Sequence, residues 1–323
     1  MHEYDVFNGD ADGLIARHQY RLAFPAVDGE TILITGVKRN IQLCRLVAAQ
    51  RGDRVNVFDI SYDQNADAVC ALLENGVQIR YFDHHRANHL AAHPGLDAYI
   101  DTASDVCSSL LVDRFLNGRY RTWAIAAAFG DNLIAVAQHL SAAELLSPQR
   151  IALLRELGEC LNYNAYGDSE DDLLFRPVML ATRMAPYADP FDFIDRETVF
   201  AELKQGYAAD LARVAAIAPL DADADSAIYR LPDAAFARRV SGAFANRLAE
   251  AYPQRAHAVL TPQASGNLTV SIRAPITRPY GADTVASAFA GGGGRAGAAG
   301  INDFSTAELP RLAEKMAAVF AAG

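Results

Sequence analysis

The sequence predicts a two-domain α/β protein, a parallel-sheet domain followed by a smaller mixed α/β C-terminal domain. Three observations carry this. Short apolar, β-branched runs alternate with helical stretches over the first hundred residues, the pattern of βαβ units. Three of these runs deliver aspartates at or just beyond their carboxyl ends, where ligands bind in open α/β sheets. An acidic alternation, Asp221-Ala222-Asp223-Ala224-Asp225, then separates a helical region from a new set of strand candidates.

The elements follow in order. Residues 4–7 predict a first strand, ending in Asn8-Gly9-Asp10-Ala11-Asp12-Gly13, with a helix over 14–23. Residues 31–37 predict a second strand, 41–49 have helical spacing, and 54–60 (Arg-Val-Asn-Val-Phe-Asp-Ile) predict a third strand. A helix over 65–74, a strand over 78–82 and a fifth strand starting at 98–100 complete the sheet. From 107 to 161 the pattern is almost entirely helical, whereas 162–190 is polar, acidic and turn-rich and reads as an interdomain excursion or lid base. A connecting helix over 198–218 is ended by Pro219. Beyond the acidic linker, 227–231, 257–261 and 267–273 predict strands, and 238–251, 282–290 and 306–321 predict helices, the last capped by Ser305 or Thr306. The domains are expected at 1–190 and 225–323, with a linker helix within 191–224.

Composition narrows the function. The chain has 323 residues, 51% hydrophobic and 21% charged, and a net charge of −10 from 39 acids against 29 bases. That balance argues against long duplex DNA as the main partner and favours a small phosphorylated molecule or a short oligonucleotide. The four cysteines, Cys44, Cys70, Cys107 and Cys160, form no CxxC pair and read as buried free thiols. No signal peptide and no run of about 18 apolar residues is seen, so a cytoplasmic protein without a membrane partner is expected, and a homodimer is left open.

The chemistry concentrates in four places. Asp10-Ala11-Asp12, flanked by Gly9 and Gly13, puts two carboxylates on neighbouring sides of a turn, although alone this is also a plain Asp/Gly turn with a helix cap. Asp59 ends a buried strand, where it can bridge two cations or cap a helix near Ser61. Asp83-His84-His85 follows another strand; adjacent histidines on extended backbone point to opposite sides, so one can bind metal while the other faces a phosphate. Asp131 interrupts the apolar segment Ala126-Ala127-Ala128-Phe129-Gly130, where an unpaired carboxylate is costly to bury. Oxygen-rich ligands with one imidazole suit manganese or magnesium better than zinc or copper. Two cations about 3.5–4 Å apart are a recurrent phosphoesterase arrangement, holding a bridging hydroxide as nucleophile.

These residues resemble the DHH phosphoesterase family. Asn8-Gly9-Asp10-Ala11-Asp12-Gly13 is similar to its first motif, Asp59 to the second, Asp83-His84-His85 to the third and Asp131 to the fourth. Gly291-Gly292-Gly293-Gly294-Arg295 resembles the glycine motif of the DHH-associated C-terminal domain, so the likeness covers most of the chain. The resemblance implies that Asp10 serves one metal and Asp12 the other, that Asp59 bridges both, and that His84 and Asp131 complete the second site. His85 would contact the scissile phosphate and protonate the leaving group. Asp83 would be a ligand or a supporting partner. Asn8 stands where exonuclease-like members carry an aspartate, and Val6 where many carry a histidine. One tight and one weak ion are therefore expected.

In the second domain Arg295 replaces a family histidine before Ala-Ala-Gly and keeps the ability to hold a phosphate. Gly292, Gly293 and Gly294 would let the backbone approach that phosphate, and Arg273 is a second anchor. Tyr163, Tyr166 and Tyr280 are the stacking candidates, and the histidines outside the motifs, His18 and His257 among them, are expected at the surface or in caps. The function so implied is metal-dependent hydrolysis of short single-stranded oligonucleotides or nucleotide phosphomonoesters in a cleft between the domains, as in nanoRNases and single-strand exonucleases. The alternatives are a polyphosphate or pyrophosphate hydrolase and a degenerate nucleotide-binding protein.

Overall fold

The computed structural model describes residues 1–26 and 31–321. The chain divides into two compact units, Met1–Gln205 and Gly206–Gly323.

The first unit is built on a five-stranded, all-parallel sheet in the order β2-β1-β3-β4-β5. Its strands are β1 (Glu3–Phe7), β2 (Ile32–Ile34), β3 (Arg54–Phe58), β4 (Gln78–Asp83) and β5 (Leu96–Ile100). Helices α1 (Ala11–Ala23) and α2 (Tyr62–Glu74) are the crossovers. Alternation along the strands sorts the two faces. Val6, Val57, Ile79 and Tyr81 pack with Val69, Leu72 and Leu73 of α2. On the opposite face Phe58 stacks on Phe82 at 5.7 Å and Phe82 on Tyr99 at 4.8 Å, with Tyr20 of α1 tilted against both phenylalanines. That face also carries a polar row, Asp5, Asn56, Arg80 and Asp97, aligned across four strands.

Helices α3 (Ser108–Phe115) and α4 (Arg121–Gly130) pack on α1, and α5 (Ile134–Ala143) and α6 (Pro148–Asn164) pack on α4. Helices α4 and α6 cross with their backbones in contact. A Cβ on Gly158 would lie 2.0 Å from the Ala126 carbonyl oxygen, and one on Gly130 2.9 Å from the Gly158 oxygen. Gly158→Ala is therefore expected to cost ~1–3 kcal/mol by overpacking. Gly242→Ala, at a helical glycine with open space around it, should instead stabilise by about 0.5–1 kcal/mol. Urea unfolding of both variants checks the contrast, and equal effects would refute it.

Several expectations need correction. Residues 41–49 hold only a 3-10 turn, Leu43–Leu46, because Asn65 of α2 anchors the loop through the Cys44 N–H and the Ile41 carbonyl. The 162–190 segment is no excursion. Pro177 and Pro190 start two helices, α7 (Pro177–Met184) and α8 (Pro190–Arg196), as N-terminal prolines can. The buried Asn164 side chain holds the preceding loop through Leu174, Phe175 N–H and the Phe175 carbonyl. His18, expected at the surface, is buried edge-on to Trp123 and bonded to the Tyr187 carbonyl, and Trp123 Nε1 donates to the Ala188 carbonyl. Cys44, Cys107 and Cys160 are buried free thiols, whereas Cys70 is only half-buried.

The division between the units falls within α9 (Thr198–Ala215). The second unit has a mixed six-stranded sheet, ordered β10-β11-β9-β8-β7-β6. Its strands are β6 (Asp221–Ala222), β7 (Ser226–Arg230), β8 (Ala256–Pro262), β9 (Leu268–Arg273), β10 (Gly292–Arg295) and β11 (Ala298–Phe304). Helix α10 (Ala235–Ala251) packs on β8 and β9. Helices α11 (Ala282–Ala286) and α12 (Leu309–Phe320) share a core with Ala258, Leu260, Val270 and Ile272. Part of the acidic linker is thus an edge strand. His257, expected at the surface, is buried, its ring near Tyr229 and Tyr252.

Candidate metal centre

Because every pairing in the first sheet is parallel, the carboxyl ends of β1 to β4 lie along one edge. The turn after β1 is tight. The Asn8 amide oxygen accepts the Asp10 N–H at 3.3 Å, and Asp10 caps α1 by accepting the Gly13 N–H at 3.1 Å. A Cβ on Gly13 would lie 2.3 Å from the Asn8 backbone carbonyl oxygen, so the turn requires glycine. Asp59 leaves β3 in the left-handed conformation, φ 58°, which aspartate and asparagine tolerate best among non-glycine residues. Its N–H donates to the Phe82 carbonyl at 2.9 Å, and its Oδ1 accepts the Ser108 hydroxyl at 3.1 Å.

Asp12 is held differently. Helix α3 has no side-chain cap of its own. Instead the Asp12 carboxylate accepts the Ser108 and Ser109 N–H groups, each at 2.7 Å, so an anion sits at the helix's amino end. Asp131 closes α4 as its C-terminal cap.

The result brings together Asp12, His84 and Asp131, whose ligand atoms lie within 4.8 Å of one another; Asp59, His84 and His85 form a second such group. His84 Nε2 lies 3.4 Å from Asp59 Oδ1. The histidine rings are 4.5 Å apart, and both reach towards Asp59. The expected opposite-side placement fails because β4 ends at Asp83, so strand alternation no longer governs the pair.

Asp83 joins neither group. It is fully buried, its Oδ1 accepting the His85 ring Nδ1–H at 2.7 Å and the His85 N–H at 3.2 Å, and its Oδ2 accepting the Tyr62 N–H at 3.2 Å. Its place is behind His85, orienting the ring. Asp10 is likewise outside both groups, its Oδ2 accepting the Lys38 ammonium at 2.5 Å, and the Asn8 amide nitrogen donates to the Lys38 carbonyl at 3.3 Å.

The electrostatics follow from burying like charges together. Burial, then the Asp10 and Asp12 carboxylates, drive Asp59 well above the ordinary carboxylate range. Burial and Asp12 push Asp131 up to about 6. Burial opposes charge on His84, but Asp59, Asp12 and Asp131 raise it to about 10. Burial also presses on Asp10, but Lys38 holds its carboxyl below the usual value. A cluster so short of positive charge, made of carboxylates with one or two imidazoles, suits a hard or borderline divalent cation.

Sequence reading missed Lys38, Ser108 and Ser109. Lys38 had a signal: it follows the apolar run of β2, on the strand neighbouring β1, as the aspartates follow theirs. The serines had none beyond a helix start without its own cap.

In the second unit Arg295 pairs across from Ala298, and Ala298 across from Arg273, so the two arginines share one cross-strand row. Arg273 donates to Asn246 Oδ1 at 2.7 Å. Gly292, Gly293 and Gly294 form edge strand β10, paired with Ile301, Gly300 and Ala299. Close packing explains two of them, since a Cβ on Gly292 would lie 1.9 Å from the Ala286 oxygen and Gly294 has φ 145°. Tyr163 is buried, Tyr166 lies under Lys38 with its ring centre 5.6 Å from the ammonium, and Tyr280 is exposed.

No protein-family model and no curated protein matches the sequence. Solved structures do. The exonuclease RecJ bound to manganese superposes with a TM-score of 0.61 at 16% identity, over 100% of this chain and 90% of that one. A DHH-domain protein described as a member of a family of ribosomal proteins gives 0.59 at 13%, over 98% of this chain and 86% of that one. The pGpG-specific phosphodiesterase PggH from Vibrio cholerae gives 0.54 at 13%, over 100% of both chains. At these identities the likeness is one of fold: the chain has the α/β fold of DHH-domain proteins.

Proposed function

We propose that this chain is a phosphoesterase that depends on a divalent cation, manganese or magnesium, and hydrolyses short single-stranded oligonucleotides or nucleotide phosphomonoesters. The observation that carries the reading is the convergence of Asp12, His84 and Asp131 within 4.8 Å at the sheet's carboxyl edge, with Asp59 bonded to His84 beside them. The fold shared with a manganese-bound exonuclease and a dinucleotide phosphodiesterase supports it.

Asp12, Asp59, His84 and Asp131 would hold the ion. When bound, the ion supplies positive charge against the phosphoryl oxygens and lowers the pKa of water. The chain's own residues do the rest. The Ser108 and Ser109 N–H groups fix Asp12, and the Ser108 hydroxyl fixes Asp59. Asp83 holds the His85 ring through Nδ1, leaving Nε2 to meet the phosphate and to give a proton to the leaving oxygen. In the second unit Arg273 and Arg295 are the groups suited to a further phosphate. Among the described residues no helix is long and apolar enough to cross a membrane.

The test is manganese-dependent turnover of a short RNA, a 3′,5′-nucleotide bisphosphate and tripolyphosphate. The nucleotide substrates should be hydrolysed, and His84→Ala should lose more than ~100-fold, since even an outer partner of a ligand costs 10–100-fold. Turnover of tripolyphosphate alone would establish the phosphoanhydride reading instead. Binding of nucleotide with no turnover of any substrate would establish a degenerate binding protein.

A further inference from the structure

We infer that Lys38 is a built-in cation of this centre: its ammonium takes the place of a second divalent ion beside Asp10, making a site of one metal and one lysine. The inference rests on the metal-dependent reading above and specifies the composition of that site.

Asp10 is the residue a first-motif ion would need, and its carboxylate already meets a cation. Oδ1 caps α1 through the Gly13 N–H, and Oδ2 accepts the Lys38 ammonium at 2.5 Å. Neither ligand group of the centre includes Asp10. The Asn8 amide oxygen accepts the Asp10 N–H and so fixes the residue's backbone.

Lys38, by contrast, is set in place from several directions. Its N–H donates to the Ala165 carbonyl at 2.9 Å, and its own carbonyl accepts the Asn8 amide. Its ammonium also donates to Asn162 Oδ1 at 3.3 Å and lies over the Tyr166 ring. A side chain held by a carboxylate, an amide oxygen and an aromatic face is an anchored charge rather than a surface lysine at rest. It supplies one positive charge, with no coordination sphere, where a second metal would supply two.

The experiment measures manganese per chain after equilibrium dialysis of the whole protein, together with the EPR spectrum of the bound ion. Wild type and Lys38→Arg should each bind one manganese with an uncoupled six-line spectrum. Lys38→Met, which frees Asp10, should bind two, with the spectrum broadened by spin coupling. Two coupled ions in wild type would overturn the inference while leaving the metal-dependent reading intact, and this arm needs no variant to fold. A single ion in Lys38→Met with native circular dichroism would overturn it too. Wild type that binds no manganese would sink both readings.

Discussion

Asp59→Asn is expected to stabilise the metal-free protein while abolishing its response to manganese. Burial, then the neighbouring Asp10 and Asp12 carboxylates, hold the Asp59 carboxyl well above the ordinary range, so the ionised form is disfavoured in the fold. Asparagine removes that charge, keeps an oxygen for the Ser108 hydroxyl and suits the left-handed backbone at φ 58°. A gain of ~1–2 kcal/mol, roughly 2–4 °C per kcal/mol in a domain of this size, is the usual scale when a functional site is relieved of strain. Turnover should fall more than ~100-fold, because a ligand is lost.

The pH dependence has a definite sign. A carboxyl whose folded pKa is raised binds a proton in the fold that the unfolded chain releases, so stability falls as pH rises above the ordinary carboxylate value of about 4. Asp59 contributes this loss until pH passes its raised value, and Asp131 contributes it up to about 6. Metal binding runs the other way, strengthening with pH as protons must leave the ligands. Thermal unfolding in chelator and in manganese between pH 5 and 8 would show both. A variant that melts below wild type in chelator, or that manganese still stabilises, would contradict the account.

Asp5→Ala is expected to destabilise the first unit by ~3–5 kcal/mol, the cost of removing one partner from a buried ion pair. Asp5 is fully buried in β1, on the α1 face of the sheet. Its Oδ2 accepts Arg17 Nε at 2.9 Å and Arg21 Nε at 2.8 Å, and its Oδ1 accepts Arg21 Nη2 at 2.6 Å and the Asn56 amide at 3.2 Å. Alanine would remove the carboxylate shared by two arginines of α1 whose side chains are only 10% exposed, leaving Arg21 with Glu3 alone. The effect belongs to stability: Asp5 lies on the strand body, and the ligands lie beyond its carboxyl end. Urea unfolding measures it, with Glu3→Gln, which removes only the outer partner of Arg21, expected to cost far less. Equal costs would mean that the buried network is not what holds α1 to the sheet.

Where sequence reading succeeded, the reason is local. The strands of the first unit announce themselves by β-branched runs, and the turn at Asn8–Gly13 by residues whose conformational needs are intrinsic. Where it failed, the cause is distant in the chain. Residues 41–49 have helical spacing, yet an asparagine from α2 holds them as a loop. The glycines at 292–294 have the composition of a loop and the pairing of a strand, because β11 offers them a ladder.

The centre divides along the same line. That aspartates and histidines would gather at one sheet edge was decided by the sequence itself, since parallel strands that each end in an acid must present those acids together. Which of them are free to hold an ion was decided only by the tertiary structure. Asp12 is held at the amino end of a helix almost a hundred residues away and stays with His84 and Asp131, whereas Asp83 is drawn behind His85 and Asp10 is met by a lysine from the turn after the neighbouring strand. A residue type fixes what a side chain can bind, but its partners in space determine which of its lone pairs remain.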